Sequence, residues 1–538
     1  MAINSVRDVG SQGITRDLKP ALVPSRFWTD GRNIRFRNMR VEGMGGCVSV
    51  LPSTVTGLLN VGLIASPLTK FFIYSTGAKL FSFDGLTTHD ITRAVGGDYS
   101  DDADTQFDFL SFNGFGIFNQ VNDLPQLWDA SAGSNDCVDL TNWNTLWRTK
   151  KMRNFKGFLF AMGMEESGTQ FPHKLRWSTP AEAGAVPSSW DDADPTNLAG
   201  SFDFPDTKRG ELVDGLELGD NFYIYKEGSI WEFQFVGGDE VFTRELIVND
   251  VGLRVPRSLV ELPTMQGKRV HFFAGDDNFY VMDGLTVTPV FEDVFRREIV
   301  ALRGENYQKR AFSVVNYRES ELWFCIPQAG DDYCTLAFVM NYQNMTYTVR
   351  ELSGAGNITA GIGFDSSSIS EEDDIDFDDD TFFSDGTGFA TTTIIPNQSA
   401  IVEASPVREQ IYYLDRGPLD YDGVSAYPRY VTRESLATTK VDPRNVEAEV
   451  VDYNARKVID HIVPKLYGGS VELTIGVQEQ ENVAISYLAP EVIRKDEFRH
   501  HFPQPVSARF HTFMFKNVGT EDFILGGFDY NVNVLGEF

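Results

Sequence analysis

The densest set of potential metal-binding side chains lies in an acidic tract at residues 371–380, which reads EEDDIDFDDD. Asp374, Asp376 and Asp378 match positions 1, 3 and 5 of an EF-hand loop, in which carboxylate oxygens bind calcium. The sixth loop position should be glycine to allow a sharp turn, but it is Asp379 here. We therefore predict a solvated acidic loop without a metal site, with loose binding of divalent cations as the alternative.

Two further carboxylate clusters, both reading DDAD, lie at residues 101–104 and 191–194. Glycoside cleavage requires two carboxylates in complementary roles. Both clusters lie among turn-forming residues, which favours turns over a catalytic pair. His500 and His501 are adjacent, so strand alternation would point them to opposite faces and disfavours a shared metal.

Signature motifs of common enzyme classes are missing from the sequence. It contains no GxSxG, no GxxxxGK[ST], no HExxH and no GxGxxG after a strand. We therefore predict a protein without catalytic residues, bound metal or cofactor.

An arginine-rich segment near the N-terminus, RFWTDGRNIRFR at residues 26–37, alternates cationic with aromatic and aliphatic residues. Arginine and tryptophan are enriched at protein–protein hot spots, and both can also stack on nucleic-acid bases. The chain carries a net charge of −30, which favours the protein interface. The candidate interface residues are Arg26, Trp28, Arg32, Arg35 and Arg37.

The overall charge excludes some partners. The 538 residues include 47 basic and 77 acidic side chains, a balance that argues against sequence-independent binding of DNA or of an anionic membrane.

No apolar run approaches the roughly 20 residues that span a bilayer, and the N-terminus lacks the apolar region of a signal peptide. We expect no membrane-spanning segment.

The four cysteines form no CxxC pair, so neither a zinc site nor a thioredoxin-like site is indicated. Cys325 and Cys334 flank a predicted turn and could face each other across a hairpin. We expect a reduced, packed pair, because nothing indicates export to an oxidising compartment.

The elements that position these residues are short strands. Aromatic residues make up 13% of the chain, including 42 Phe, and the chain also contains 47 Gly. This composition favours many short strands joined by tight turns. Hairpin-like units recur with anchors 37, 50, 64, 49 and 41 residues apart, at Phe72, Phe109, Leu159, Tyr223, Phe272 and Ser313. A possible further unit includes residues 411–415. Such periods are typical of β-propeller blades, and unrelated hairpins in a sandwich or solenoid are the alternative.

We predict an all-β chain in three parts. Residues 1–55 form an N-terminal extended arm, and residues 56–440 form a β-propeller of six or seven blades with an acidic loop insertion near 365–385. Residues 441–538 contain some six alternating strands, which predicts a C-terminal β-sandwich or platform module.

Three segments of the chain resemble the tail nozzle (hub) proteins of short-tailed bacteriophages, a group that includes head-closing proteins that stabilise packaged DNA. The first is WTDGRNIRFRNMRVEGMGG at 28–46. The second is DDNFYVMDGLTVTPV at 276–290, which is followed by FRREI and resembles a propeller strand pair leading into a short helix. The third is ARFHTFMFKNVGTEDFILGGFDYNVNV at 508–534. The acidic tract matches no part of this family pattern.

The resemblance implies a structural virion protein located in the tail and assembled in the bacterial host cytoplasm. It implies a ring of six copies below an adaptor ring and above tail fibre, spike or needle proteins. Such a ring would retain packaged DNA and conduct it at ejection, with transient non-specific contact to double-stranded DNA.

A channel that passes DNA should not be strongly basic, because Lys and Arg bind phosphates tightly. We therefore hypothesise that carboxylates of the acidic tract face such a channel. The candidates are Glu371, Glu372, Asp373, Asp374, Asp376, Asp378, Asp379 and Asp380. The alternatives are a propeller that binds or cleaves bacterial surface glycan and a cytosolic propeller scaffold.

Overall fold

Seven four-stranded antiparallel sheets follow one another along the chain and form a β-propeller. The computed structural model describes residues 2–6, 12–24, 27–65, 70–204, 209–238, 240–362, 399–441 and 449–536. One four-stranded sheet is too small to bury both of its faces, so each sheet packs against its neighbours around a common centre.

Five short strands precede the first blade. They are β1 (Ala2–Val6), β2 (Asp30–Arg32), β3 (Ile34–Arg37), β4 (Arg40–Gly43) and β5 (Cys47–Ser49), with a 3₁₀ turn at Pro20–Leu22.

The first four blades are formed entirely by consecutive strands. Blade one contains β6 (Leu58–Ala65), β7 (Lys70–Thr76), β8 (Leu80–Phe83) and β9 (Thr88–Asp90). Blade two contains β10 (Asp108–Phe112), β11 (Phe115–Asn119), β12 (Gln126–Asp129) and β13 (Val138–Asp139). Blade three contains β14 (Trp147–Phe155), β15 (Phe158–Glu166), β16 (Thr169–Trp177) and β17 (Gly200–Asp203). Blade four contains β18 (Leu212–Leu218), β19 (Asn221–Lys226), β20 (Ser229–Phe235) and β21 (Phe242–Asn249).

The last three blades include the only two α-helices of the described chain and the closure of the ring. Blade five contains β22 (Val260–Met265), β23 (Lys268–Ala274), β24 (Phe279–Met282) and β25 (Val287–Val290). Two short helices follow, α1 (Arg296–Leu302) and α2 (Tyr307–Arg310). Blade six contains β26 (Phe312–Asn316), β27 (Glu321–Ile326), β28 (Cys334–Asn341) and β29 (Thr346–Ala355). Blade seven contains β30 (Asn357–Ile362), β31 (Ser399–Ser405) and β32 (Gln410–Leu414), and its outer strand is β5.

The propeller prediction is confirmed, and the described part of the chain forms seven blades. Every hairpin unit identified from the sequence lies in a different sheet. The anchor spacings are uneven because Phe109 and Ser313 lie on the first strand of their blades, whereas the other four anchors lie on the second. First strands face the centre of the ring, so they carry polar residues that weaken the apolar pattern.

The ring closes by pairing an N-terminal strand with the last blade. Cys47 lies opposite Leu414, and Val48 lies opposite Tyr413, in antiparallel register. The outer strand of the last blade therefore comes from the start of the chain, which ties the two ends of the propeller together.

The remaining strands form two six-stranded sheets and a two-stranded ribbon. They are β33 (Tyr430–Leu436), β34 (Thr438–Val441), β35 (Glu449–Val451), β36 (Arg456–Leu466), β37 (Val471–Gln478), β38 (Ser486–Tyr487), β39 (Glu491–Ile493), β40 (His500–Ala508), β41 (Phe510–Asn517) and β42 (Ile524–Gly536). One sheet has the order β3-β4-β42-β36-β40, with β1 also paired to β42. The other has the order β2-β33-β41-β37-β38, with β39 also paired to β37.

These two sheets, which we call the platform, include strands from all three predicted parts of the chain. Strands β1 to β4 come from the predicted arm at 1–55, and β33 comes from the predicted propeller at 56–440. The predicted arm is therefore divided between the platform and blade seven. Local sequence pattern misses this arrangement because backbone N–H and C=O groups of short strands find their partners hundreds of residues away.

The two platform sheets pack face to face around aromatic side chains. Phe513 on β41 lies 5.0 Å from Phe528 on β42, measured between ring centroids. The same apolar core continues into blades five and six through residues such as Phe272 and Phe324. The platform and this side of the propeller therefore share one core.

Candidate functional site: platform junction and central channel

Arg35 on β3 lies where the platform meets blades six and seven. Its Nε and Nη2 donate to the two carboxylate oxygens of Glu321 on β27, at 2.9 and 3.2 Å. Its Nη2 also donates to Asp415, just after β32, at 2.6 Å. All three side chains are buried. Burial opposes the charge of Arg35, but the two carboxylates outweigh it and raise its pKa.

The other predicted interface residues lie around this junction. Arg32 pairs with Glu351 of β29 at 3.0 Å, and Arg37 pairs with Glu319, which precedes β27. Arg37 keeps 48% of its side chain exposed. The described arginines of the segment thus pair with acidic residues of the same chain. Arg26 lies outside the described residues.

Trp28 is a core residue of the chain itself. It is 1% exposed and packs edge-on against Phe515 of β41, with 6.2 Å between ring centroids. Its ring also lies 6.3 Å from that of Phe528. The sequence context predicted a subunit contact, but a side chain this deeply buried has almost no surface to offer a neighbouring molecule.

Asp415 links the junction to the ring closure. Its Oδ1 accepts a hydrogen bond from the backbone N–H of Gly45, two residues before the closing strand, at 2.7 Å. Arg350 lies fully buried beside it and donates to the Gly45 carbonyl at 3.2 Å. The Arg350 guanidinium also lies over the ring of Trp323, 4.9 Å from its centroid. Polar contacts therefore position the closing strand before it joins blade seven.

The acidic tract and its eight candidate carboxylates, from Glu371 to Asp380, lie outside the described residues. Among the described residues, no group of three or more His, Cys, Asp or Glu side chains is arranged to hold a metal ion.

The turn interpretation of the DDAD clusters is confirmed for three of their members. Asp102 accepts hydrogen bonds from the backbone N–H groups of Asp104 and Thr105, both at 2.8 Å. Asp191 and Asp194 accept similar bonds from residues two positions further on. Asp101 differs because it is buried, and burial raises its pKa to about 7. Sequence pattern did not separate it from its neighbours.

The four cysteines are free and buried. Cys325 lies opposite Ala337 in the β27–β28 ladder, while Cys334 begins β28, so the two are not direct cross-strand partners. The expectation of reduced, packed cysteines is confirmed, whereas the direct facing of this pair is not observed.

A central cavity of about 420 Å³ is lined by the first strand of all seven blades. Its wall includes residues from β6, β10, β14, β18, β22, β26 and β30. This arrangement is the geometric consequence of radial blade packing, and it makes the cavity the central channel of the propeller.

The channel wall carries two ion pairs. Lys151 on β14 donates to both carboxylate oxygens of Asp108 on β10, at 2.5 and 2.6 Å. Arg153, also on β14, donates to Asp214 on β18 at 2.6 Å. Burial disfavours the charged form of Asp108, but Lys151 and Arg153 outweigh it, so its pKa is lowered. These pairs connect blade three to both of its neighbours.

The channel charges were missed by sequence reasoning, although one signal was present. Strand β14 reads WRTKKMRNF, which is a strongly basic strand in an acidic chain. Its alternate residues Lys151 and Arg153 face the channel. A basic first strand within a blade period could have indicated a charged channel wall.

No family model matches this chain, and no curated protein matches it. Among solved structures, it is similar to the extracellular domain of a one component system from B. thetaiotaomicron, with 10% identity and a TM-score of 0.37. That match covers 70% of this chain but only 40% of that structure. The Pan2 WD40 domain of Neurospora crassa matches with 9% identity and a TM-score of 0.35, over 71% of this chain and 97% of that domain.

The WD40 propeller domain of Doa1 matches with 9% identity and a TM-score of 0.33, over 69% of this chain and 95% of that domain. Identities and TM-scores this low carry no information about activity or partners. None of the described helices has the length and apolar character needed to cross a bilayer.

Proposed function

We propose that this protein is a structural virion component, the tail nozzle of a short-tailed bacteriophage. It would act by assembly: a ring of copies below an adaptor ring extends the DNA channel, retains the packaged genome and conducts it at ejection. Its location would be the virion tail, after assembly in the bacterial host cytoplasm.

The observation that carries this proposal is the convergence of the three segments that resemble nozzle proteins. Trp28 from the first segment packs against Phe515 and Phe528 from the third. Arg16 pairs with Asp30 of the first segment and with Glu298 of the FRREI run that follows the second. Segments separated by more than 200 residues thus meet in one unit, the platform and the helix beside it, as parts of a shared module would.

The charge of the chain agrees with a DNA conduit. A net charge of −30 gives most surfaces of a ring a negative potential, which disfavours tight binding of phosphates. Double-stranded DNA could then slide past with only transient contacts. The 371–380 tract contributes eight of the negative charges and is the proposed acidic lining.

A nonsense mutation in the gene of the source phage tests the proposal. We expect heads that package DNA but lose it, and that carry no tail below the adaptor, with rescue by the wild-type gene in trans. A gene for a glycan-binding or glycan-cleaving propeller would instead yield DNA-filled, tailed particles that fail to adsorb. Normal infectious particles would contradict any virion role.

A further inference from the structure

The central channel of the propeller contains a cation that its own wall does not neutralise. The cavity is lined by three cationic side chains, Lys151, Arg153 and Arg257, and by two carboxylates, Asp108 and Asp214. Lys151 and Arg153 each form a close ion pair with one carboxylate. Arg257, which precedes β22, forms no ion pair with any described carboxylate.

The contacts of Arg257 position its guanidinium but supply no negative charge to balance it. Its Nη1 donates to the backbone carbonyl of Gly356 at 3.3 Å, and the guanidinium carbon lies 5.2 Å from the ring centroid of Phe312. Burial lowers the pKa of Arg257, against the weaker attraction of nearby acidic groups. A partly buried cation without an anionic partner is costly to folding unless an anion binds beside it.

A second polar group in the same wall also lacks a partner. Ser313 on β26 is 9% exposed, and its hydroxyl has no hydrogen-bond partner among the described residues. Its backbone N–H donates to the carbonyl of Arg257 at 3.0 Å, so the two residues are adjacent in the channel wall. A buried hydroxyl without a partner calls for an explanation, and a ligand or water bound beside it is one.

We propose that the central channel binds one small oxyanion, a carboxylate or a phosphate group, at Arg257 and Ser313. The guanidinium presents parallel N–H donors that match two oxygens of either group, and the serine hydroxyl supplies a third donor. The cavity of about 420 Å³ accommodates a small metabolite-sized molecule and is far too small for duplex DNA. The site goes beyond the proposed role in the virion, because it belongs to each single propeller.

The pattern fits a binding site better than a structural contact. The other two cations of the channel wall, Lys151 and Arg153, each lie within 3 Å of a carboxylate. Arg257 is the cation of this wall without such a partner, and it lies beside the hydroxyl that also lacks one. Residues kept for binding often cost stability in the free protein.

Isothermal titration calorimetry of the full-length protein tests the site, using sodium phosphate and sodium acetate as probes. Ionic strength is held constant with sodium chloride, so that general screening does not contribute. We expect one site per chain for at least one probe. Binding of phosphate alone would assign the site to phosphate-bearing molecules, and binding of acetate alone would assign it to carboxylates.

Three variants locate the binding. Arg257→Gln should weaken binding by about tenfold or more, and Ser313→Ala by a smaller factor, since hydrogen bonds to charged groups are the stronger ones. Arg254→Gln is the control, because Arg254 pairs with Glu227 at 3.2 Å and does not line the cavity. It should leave the affinity within about twofold.

A Tm measurement of each variant separates a loss of anion binding from a loss of folding. Arg257→Gln should fold with an unchanged or higher Tm in the absence of anions, because it removes an unneutralised cation. The proposal is overturned if neither probe binds the wild-type protein, or if Arg257→Gln and Ser313→Ala both fold and bind as tightly as wild type.

Discussion

Arg35 and Glu321 form a two-pronged ion pair that joins the platform to the propeller. The guanidinium Nε and Nη2 donate to separate carboxylate oxygens at 2.9 and 3.2 Å, and both side chains are buried. One residue belongs to the arginine-rich segment near the N-terminus, and the other lies 286 positions away on blade six. A segment that looks like an external docking arm in the sequence is thus an internal connector.

Replacing Arg35 by methionine should strongly destabilise the protein. The change leaves Glu321 buried without its cation, and removing one partner of a buried pair typically costs about 3–5 kcal/mol. Urea denaturation followed by tryptophan fluorescence measures the free energy of unfolding. Arg456→Met is the matched control, because its pair with Glu479 has a similar 2.9 Å distance but is about half exposed. The control should change stability by less than about 1 kcal/mol, and equal losses in both variants would refute the connector role.

Gly46→Ala should disturb the closure of the ring. A Cβ atom at this position would overlap the backbone carbonyl of Leu419, which the chain cannot move as easily as a side chain. Overpacking of this kind costs about 1–3 kcal/mol. Gly77→Ala is the control, since its Cβ would meet only Asp101 O, at an ordinary distance of 3.4 Å. Chemical denaturation and limited proteolysis near residues 40–55 give the readout, and identical curves for both variants would show that closure tolerates the change.

Asp101 should make the protein less stable as the pH rises from about 4 to 7. Burial raises the pKa of this carboxyl to about 7 in the folded state, above its ordinary value of 3.8. The folded state then holds a proton that the unfolded state releases, so this stabilising contribution is complete below pH 3.8 and is lost as the pH rises through 7. Asp101→Asn should remove this dependence and raise the Tm at pH 8 relative to wild type.

Buried histidines act in the opposite direction. Burial lowers the pKa of His271 and of His511 to about 4. Their contribution to the stability of the folded state is therefore complete above pH 6.5 and is lost as the pH falls towards 4. Both histidines are present in wild type and in Asp101→Asn, so their effect cancels in the difference between the two pH profiles. A difference that does not change between pH 4 and 8 would contradict the assignment to Asp101.

All four cysteines should be unreactive in the folded protein. They are buried, and burial raises the pKa of Cys47 to about 12, so little thiolate forms at pH 8. Ellman's reagent should detect no fast-reacting thiol in the native state and four thiols in guanidinium. Rapid labelling of one thiol without denaturant would show that its burial is incomplete in solution.

The repeating part of the fold is predictable because its second strands are apolar and follow tight turns. An apolar hairpin unit such as the one around Phe72 indicates a blade in the sequence, because its apolar residues pack between neighbouring sheets. The closing strand at Cys47–Ser49 is only three residues long, too short for any periodicity to reveal its partner at Tyr412–Leu414. The short platform strands β2, β3 and β4 give no indication of their distant partners for the same reason.

The candidate site was less predictable than the fold. Arginine and aromatic residues at 26–37 indicated a contact surface, and Arg35 does make such a contact, but within its own chain. Arg257 gave no sequence signal, because the lack of a charge partner is a property of the assembled channel and of no single strand. Clusters visible in sequence, such as Asp191 and Asp194, became ordinary turns.

The proposed nozzle role is tested most directly by immunogold electron microscopy of particles in a lysate of the source culture. An antibody against the purified full-length protein is applied to intact virions, with pre-immune serum as the control. Our account predicts gold confined to the short tail, beneath the head. Gold on peripheral spikes, or soluble antigen with unlabelled particles, would contradict it.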